Sequence, residues 1–364
     1  MAEPLKNIFF TKKSIDFLAE TVMKYFPEFN KEEFVKMIFD SNWKSKELIE
    51  RMHHTAYCLH QHLPASYTEA LDILKKVVLS IQGFDAMALP DFVAQYGLEN
   101  MELSLDALEY FARHTSSELA IRPFLAKSPD KVFKFMNKWV KDEHPMVRRL
   151  ASEGCRPRLP WAMELPKFRK DPSAIIPILE QLKNDESPDV RRSVANNLND
   201  ISKDNPEIAL DVCEKWFGKS SNTNEIVKHA CRGLLKAGNK RAMLIFGFGD
   251  PKNILVENLV FNSNSLYIGE TLHFSFGLIV DEDQDSKIRL EYCVYYVKAK
   301  DKLSKKIFQI TESVYSPGLH TIKRKHSFED MSTRKHKEGM HYLSIIVNGE
   351  EKRKLHIHLK SKEK

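Results

Sequence analysis

The sequence predicts a mainly α protein, an α-solenoid of helical repeats followed by a small all-β sandwich. Three observations carry that expectation. His144-Pro145-Met146-Val147-Arg148-Arg149-Leu150-Ala151-Ser152-Glu153 is echoed by Ser187-Pro188-Asp189-Val190-Arg191-Arg192-Ser193-Val194-Ala195-Asn196, with a weaker copy at Ile226-Val227-Lys228-His229-Ala230-Cys231-Arg232. Apolar residues follow a helical period up to about Gly238. Beyond Gly247-Phe248-Gly249-Asp250-Pro251 the period changes to two. A unit repeating at a few tens of residues, with a basic pair at a fixed place, is the signature of stacked helical repeats. Stacking would align those pairs along one wall suited to a polyanion.

Taken in chain order, Ile15, Leu18, Ala19, Val22 and Met23 form the first helical stripe, and Phe34, Met37 and Ile38 the second. Leu71, Leu74, Val78 and Ile81 continue the pattern, as do Leu108, Phe111 and the run after Ser117. Pro64, Pro90, Pro123, Pro145, Pro166, Pro188 and Pro206 punctuate this half near expected helix ends. In both strong repeats Pro occupies the first helical position, where its missing N–H costs nothing, and Asp200 is expected to end the second of these helices. The repetitive part begins near residue 103. Between the first Arg-pair helix and the next lies Gly154-Cys155-Arg156-Pro157-Arg158-Leu159-Pro160-Trp161, followed by Lys167, Arg169 and Lys170. It is long for a helix–helix connection, and long ordered loops are more often functional than short ones.

In the tail, Leu272, Phe274, Phe276 and Leu278 alternate with polar or small residues, and Ile288, Leu290, Tyr292 and Val294 alternate with Arg289, Glu291 and Cys293. Leu343, Ile345 and Val347 lead into Asn348-Gly349, a strong hairpin signal, and Leu355, Ile357 and Leu359 answer them. Several short strands over such a length predict an antiparallel sandwich of immunoglobulin-like type. The expected domains are therefore 1–250 and 251–364.

The chain has 364 residues, enough for two domains. Its 42% hydrophobic and 10% aromatic content excludes a disordered chain. The net charge of +6 is mild, so the placing of basic residues matters more than their sum. No apolar run reaches the roughly 18–20 residues that span a bilayer, and the opening residues read as no secretory signal. Five scattered cysteines without a CxxC pair read as reduced cytosolic thiols. The expectation is a cytoplasmic protein. His53-His54 and His356/His358 invite a metal reading. The first pair does not share a helix face, however, and no Cys or acid completes a site beside the second. The basic clusters Lys323-Arg324-Lys325-His326 and Arg334-Lys335-His336-Lys337 read either as solvated surface or as a second contact surface for a polyanion.

Three segments give the chain a family likeness: Ser116-Ser117-Glu118-Leu119-Ala120-Ile121-Arg122-Pro123-Phe124, the stretch from His144 to Trp161, and the stretch from Ser187 to Asp200. Together they resemble the HEAT-like-repeat DNA alkylation repair glycosylases, specifically the AlkC type. Leu89-Pro90-Asp91-Phe92-Val93 and Tyr96-Gly97-Leu98 are similar to the family as well. The resemblance covers the helical half, and the tail resembles the immunoglobulin-like domain that some members carry.

The resemblance implies a monofunctional glycosylase that hydrolyses the N-glycosidic bond of cationic bases in duplex DNA, chiefly N3-methyladenine and also N3-methylcytosine. It implies catalytic carboxylates at Glu118, Glu153 and Asp200, with Trp161 at the lesion, and neither cofactor nor metal. Arg148, Arg149, Arg156, Arg158, Arg191, Arg192, Lys228 and Arg232 are the expected phosphate contacts. In HEAT repeats an Arg of the second helix often bonds between neighbouring repeats, so at least one of each Arg pair is expected to do that instead, and Arg149 and Arg192 are the weaker candidates for phosphate. The expected partner is double-stranded DNA carrying alkylated bases, bound by a monomer. Two non-enzymatic readings compete, a nucleic-acid-binding scaffold and a protein–protein adaptor using the sandwich. A pure phosphate groove gains nothing from Glu153 and Asp200, so the carboxylates discriminate.

Overall fold

In the computed structural model, which describes residues 3–298, 302–331 and 335–361, helices occupy the chain as far as Ile245 and strands follow from Ile254. By packing, the chain divides into two compact units, Met1–Ala230 and Cys231–Lys364. That division falls inside the helix Ser221–Lys236 and precedes the change from helix to strand.

The first unit is a succession of short amphipathic helices. Ile15, Leu18, Ala19 and Val22 are buried, as are Phe34 and Ile38. Met23 and Met37, at the margin of each stripe, remain exposed. Leu71 and Leu74 sit in the helix Tyr67–Val77, and Val78 and Ile81 follow it into the core from beyond its end. The two strong repeats form the helices Pro145–Glu153 and Pro188–Asp204, each with Pro at its start. Two expectations need correction. The run after Ser117 is a turn, and its helix begins only at Arg122. Asp200 does not end its helix, which runs to Asp204. Asn205 precedes Pro206 and is pushed out of helical space by the proline ring (φ −134°, ψ 65°), which sets that end.

The second unit holds eight strands: β1 Ile254–Phe261, β2 Ser265–Tyr267, β3 Thr271–Val280, β4 Ser286–Val297, β5 Leu303–Tyr315, β6 Gly318–Ser327, β7 Gly339–Val347 and β8 Glu350–Lys360. They form two sheets, in the orders β1-β3-β6 and β2-β8-β7-β4-β5. Every pairing is antiparallel except that of short β2, which runs parallel to β8. Leu272, Phe274, Phe276 and Leu278 face Ile288, Leu290, Tyr292, Val294, Leu343, Ile345 and Ile357 across a shared core. Asn348-Gly349 makes the two-residue turn between β7 and β8, both residues at positive φ (45° and 84°), as a type I′ hairpin demands.

Alternation fails on β4. Arg289, Glu291 and Cys293 are buried along with their core-facing neighbours. β4 lies between β7 and β5, and its second face is closed by the Arg289–Glu291 pair at 2.6 Å and by Tyr295 and Ile346 packing with Cys293.

Candidate active site

Three segments of the first unit carry the sequence-predicted acids. Glu118 lies in the turn between the helices Met101–Ala112 and Arg122–Lys127, Glu153 is the last residue of Pro145–Glu153, and Asp200 sits in the penultimate turn of Pro188–Asp204. Two arginines join them into one chain of ion pairs. Arg149 Nη2 is 3.1 Å from Glu118 Oε1 and 3.8 Å from Glu153 Oε1. Arg156 donates through Nη1 to Glu153 Oε1 at 2.6 Å and through Nε to Asp200 Oδ2 at 2.9 Å. Lys203 Nζ closes the far end on Asp200 Oδ1 at 3.0 Å. Acid and base thus alternate from Glu118 to Lys203.

The buried members of that chain depend on one another. Glu153 is 6% and Asp200 2% exposed, and burying polar groups so deeply is costly unless they are paired and hydrogen-bonded. Burial alone would lower the pKa of Arg156, but the charges of Glu153 and Asp200 more than offset it and raise it above the usual arginine value. Arg149 behaves alike, with Glu118 and Glu153 supplying the offset. Glu118 and Arg149 also line a cleft of about 330 Å³ walled by Phe84, Met87, Ser117 and Met146. Trp161 stands 64% exposed, with its ring edge-on to Phe84 at a centroid distance of 6.3 Å.

The other cations divide by burial. Arg148 directs its donors to Asp185, Glu186 and the carbonyls of Asp142 and Glu143. Arg191 repeats the arrangement one helix on, with Nη1 donating to the carbonyls of Asp185 and Glu186. In both pairs the first arginine secures the turn that precedes its own helix. Arg192 is exposed and only 3.6 Å from Asp189. Arg158 reaches Asp204 from the surface. Lys228 and Arg232 are exposed on Ser221–Lys236. Arg334 lies outside the described residues, whereas Lys323, Arg324 and Lys325 are exposed on β6, an outer strand of its sheet. Among the described residues no cluster of three or more potential metal ligands occurs. His53 instead pairs with buried Asp91 at 2.8 Å, and His356 and His358 share the exposed face of β8.

Residues 255–361 match the family described as the C-terminal Ig-like domain of the uncharacterised protein YhaZ, and residues 175–204 match the HEAT repeat. The chain is 42% identical to the uncharacterized protein YhaZ of Bacillus subtilis over 349 residues, 96% of this chain and 97% of that one. It is also 34% identical to the Pseudomonas fluorescens alkylpurine DNA glycosylase AlkC, whose structure was solved bound to DNA containing an abasic site analog. There the TM-score is 0.92, with 98% of this chain and 100% of that chain covered. The chain belongs to the AlkC family. Its helical array and Ig-like sandwich are those of an AlkC-type DNA repair glycosylase.

Around these candidate carboxylates, three residues escaped the sequence reading. Ser193 donates to Glu153 Oε2 at 2.6 Å, so both oxygens of that carboxylate are held. Its signal was present, because Ser193 stands where the first repeat has buried Leu150, a polar residue at a core position of the repeat. Lys203 is one helical turn from Asp200 and was legible as an i,i+3 pair. Arg122 interrupts an apolar run, Leu119-Ala120-Ile121 before it and Phe124-Leu125 after it, and is 1% exposed. A cation inside such a run signals a buried one with a task.

Proposed function

We propose that this chain is a monofunctional glycosylase that hydrolyses the N-glycosidic bond of cationic alkylated bases in duplex DNA, N3-methyladenine and N3-methylcytosine, and so initiates base excision repair. The observation that carries the reading is the joining of Glu118, Glu153 and Asp200 into one ion-paired network beside an exposed Trp. A base that already bears positive charge needs no acid to leave. Water attacks C1′, the C1′–N bond gives its electron pair to the ring, which departs neutral, and a carboxylate takes the proton of the water. The remaining carboxylates oppose the positive charge that develops on the sugar. The face of Trp161 attracts the same cation, worth about 0.5–2 kcal/mol. No metal or redox group enters this balance.

Phosphate contacts are assigned to the exposed cations Arg158, Arg192, Lys228 and Arg232, which would position DNA without reading its sequence. Arg148, Arg191 and Arg156, committed to protein acceptors, position helices and carboxylates instead, and Arg149 joins Glu118 to Glu153. Glu118, Glu153 and Asp200 all come from one chain, which supports action by a monomer. The helical part, 1–250, is read as the glycosylase domain and 251–364 as its Ig-like companion. Such an enzyme would work in the cytoplasm, on the nucleoid.

The test is release of free bases from methylated duplex DNA, resolved by chromatography, for the native chain and Glu153→Gln. The native chain is expected to release N3-methyladenine. Glu153→Gln, isosteric but uncharged, is expected to lose about 10²–10³-fold in rate while still binding DNA. Binding without release by the native chain would favour the scaffold reading.

A further inference from the structure

Arg122 is a buried cation that the chemistry above does not use. Among the described residues it has no carboxylate within ion-pair distance, and its partners are three main-chain carbonyls. Nη1 donates to Gly154 O at 3.1 Å and Arg156 O at 2.9 Å, and Nε donates to Met163 O at 2.6 Å. Gly154 and Arg156 lie at the start of the connection between Glu153 and Pro166, and Met163 lies near its end. One guanidinium therefore ties the loop across its mouth. Burial pushes the group down to about 10, so it stays charged at neutral pH. Its site at the first residue of Arg122–Lys127 runs against local preference, since cations are unfavourable at a helix N-terminus. Local structure does not explain it.

The loop so tied carries Arg156 and Trp161. Trp161 adopts φ 62°, in the left-handed region that residues with a Cβ avoid, and its ring is held in solvent. A large aromatic keeps a disfavoured backbone only where the surroundings over-determine it. Other side-chain anchors of the loop include the bonds of Arg156 to Glu153 and Asp200, the surface pair Arg158–Asp204, the Trp161–Phe84 ring contact and the pair of Glu164 with Arg169 at 3.6 Å. Glu164 lies beyond Trp161, but Arg169 belongs to the helix that follows it directly, so that pair does not join the two ends of the loop, whereas Arg122 does.

We propose that Arg122 is a positioning residue for base excision: it staples the loop so that Arg156 stays between Glu153 and Asp200 and Trp161 presents its ring to the lesion. The proposal rests on the glycosylase reading for its consequence and on the loop geometry for its cause, and the test separates the two. Trp43, Trp139 and Trp216 are buried, at 7%, 1% and 1% exposure, so iodide quenching of the native chain reports Trp161.

The full chain, Arg122→Gln and Arg122→Lys are compared in single-turnover excision from methylated DNA, in affinity for DNA, and in iodide quenching without DNA. Arg122→Gln is expected to lower the excision rate about 100-fold, as misplacement of a catalytic group does, with DNA affinity falling far less, because Arg158 on the same loop is one phosphate contact among several. It is also expected to alter Trp161 quenching below the melting transition. Arg122→Lys keeps the charge but grips one end at a time, and falls between. A merely stabilising residue would lower the melting temperature and leave rate and quenching intact while the protein is folded. Rates and quenching equal to the native chain's in both variants overturn the proposal. If Arg122→Gln does not fold, Arg122→Lys alone decides on the same criteria. If the native chain releases no base, the glycosylase reading fails, and altered quenching still supports the staple while unaltered quenching overturns it.

Discussion

At Arg156 a single guanidinium separates two nearly buried carboxylates, and its removal would leave Glu153 and Asp200 facing one another across a void. Arg149 remains 3.8 Å from Glu153 and Lys203 3.0 Å from Asp200, but neither bridges the pair. Arg156→Met is therefore expected to destabilise the protein by about 3–5 kcal/mol in urea melts, the usual consequence of breaking a buried ion pair from one side. Arg158→Met, which removes a half-exposed partner of Asp204, should cost less than about 1 kcal/mol. Equal costs for the two variants would contradict the view that Arg156 organises the carboxylates. The residue types at this site were legible from the resemblance. Which cation sits between which acids was not, because Arg149 meets Glu118 across 31 residues and Arg156 meets Asp200 across 44.

Among the elements, the repeated helices show what their arginine pairs are for. Arg148 and Arg191 each bond to carbonyls five and six residues earlier in the chain, and Arg148 adds Asp185 from the next repeat. Those bonds seat the helix against the turn before it and bind one repeat to its neighbour. Arg148→Ala is expected to cost about 3–5 kcal/mol, because it leaves the nearly buried carboxylate of Asp185 with the Ser187 N–H alone and removes the donor of two carbonyls, while Arg192→Ala should stay within about 0.5 kcal/mol. Thermal or urea melts of the two variants check this, and similar losses would contradict the division within the pair. The near-identity of the segments made the repeat visible, and general experience of such repeats predicted that one arginine of each pair would be structural. The choice within the pair is a correction: the sequence reading makes Arg149 and Arg192 the weaker phosphate candidates, whereas Arg148 and Arg191 are the ones bonded to the turns before their helices, because the direction of each side chain depends on how the repeat packs. The same holds on β4, where period two was visible but burial of both faces was not, since covering a second face depends on neighbouring strands.

For the whole molecule the relevant quantity is where the +6 charge resides. Arg192, Lys228 and Arg158 are exposed, whereas Arg148, Arg156 and Arg122 are internal. Binding to duplex DNA should weaken with salt, and replacing any one of the three exposed residues by Ala should reduce the slope of log K against log[salt] by about 1. Excision at saturating DNA should then be unchanged in Arg192→Ala and Lys228→Ala, whereas Arg158 also anchors the loop that carries Trp161. A slope that Arg192→Ala, Lys228→Ala and Arg158→Ala all leave intact would place the phosphate contacts elsewhere. By itself the sequence determined the order and kind of the elements: amphipathic helices with Pro at their starts, the change of period near 250, the hairpin at Asn348-Gly349, and a family pattern naming Glu118, Glu153, Asp200 and Trp161. The helices, the change of period and the hairpin are encoded within windows of one or two turns, where periodicity and backbone preference act, whereas the family pattern is a likeness to other chains. Tertiary structure alone decided that the three acids share a network, that Ser193 holds Glu153, and that Arg122 closes the loop bearing Trp161. Those contacts join residues 31 to 44 positions apart, and their energy depends on how helices stack, which no local window contains.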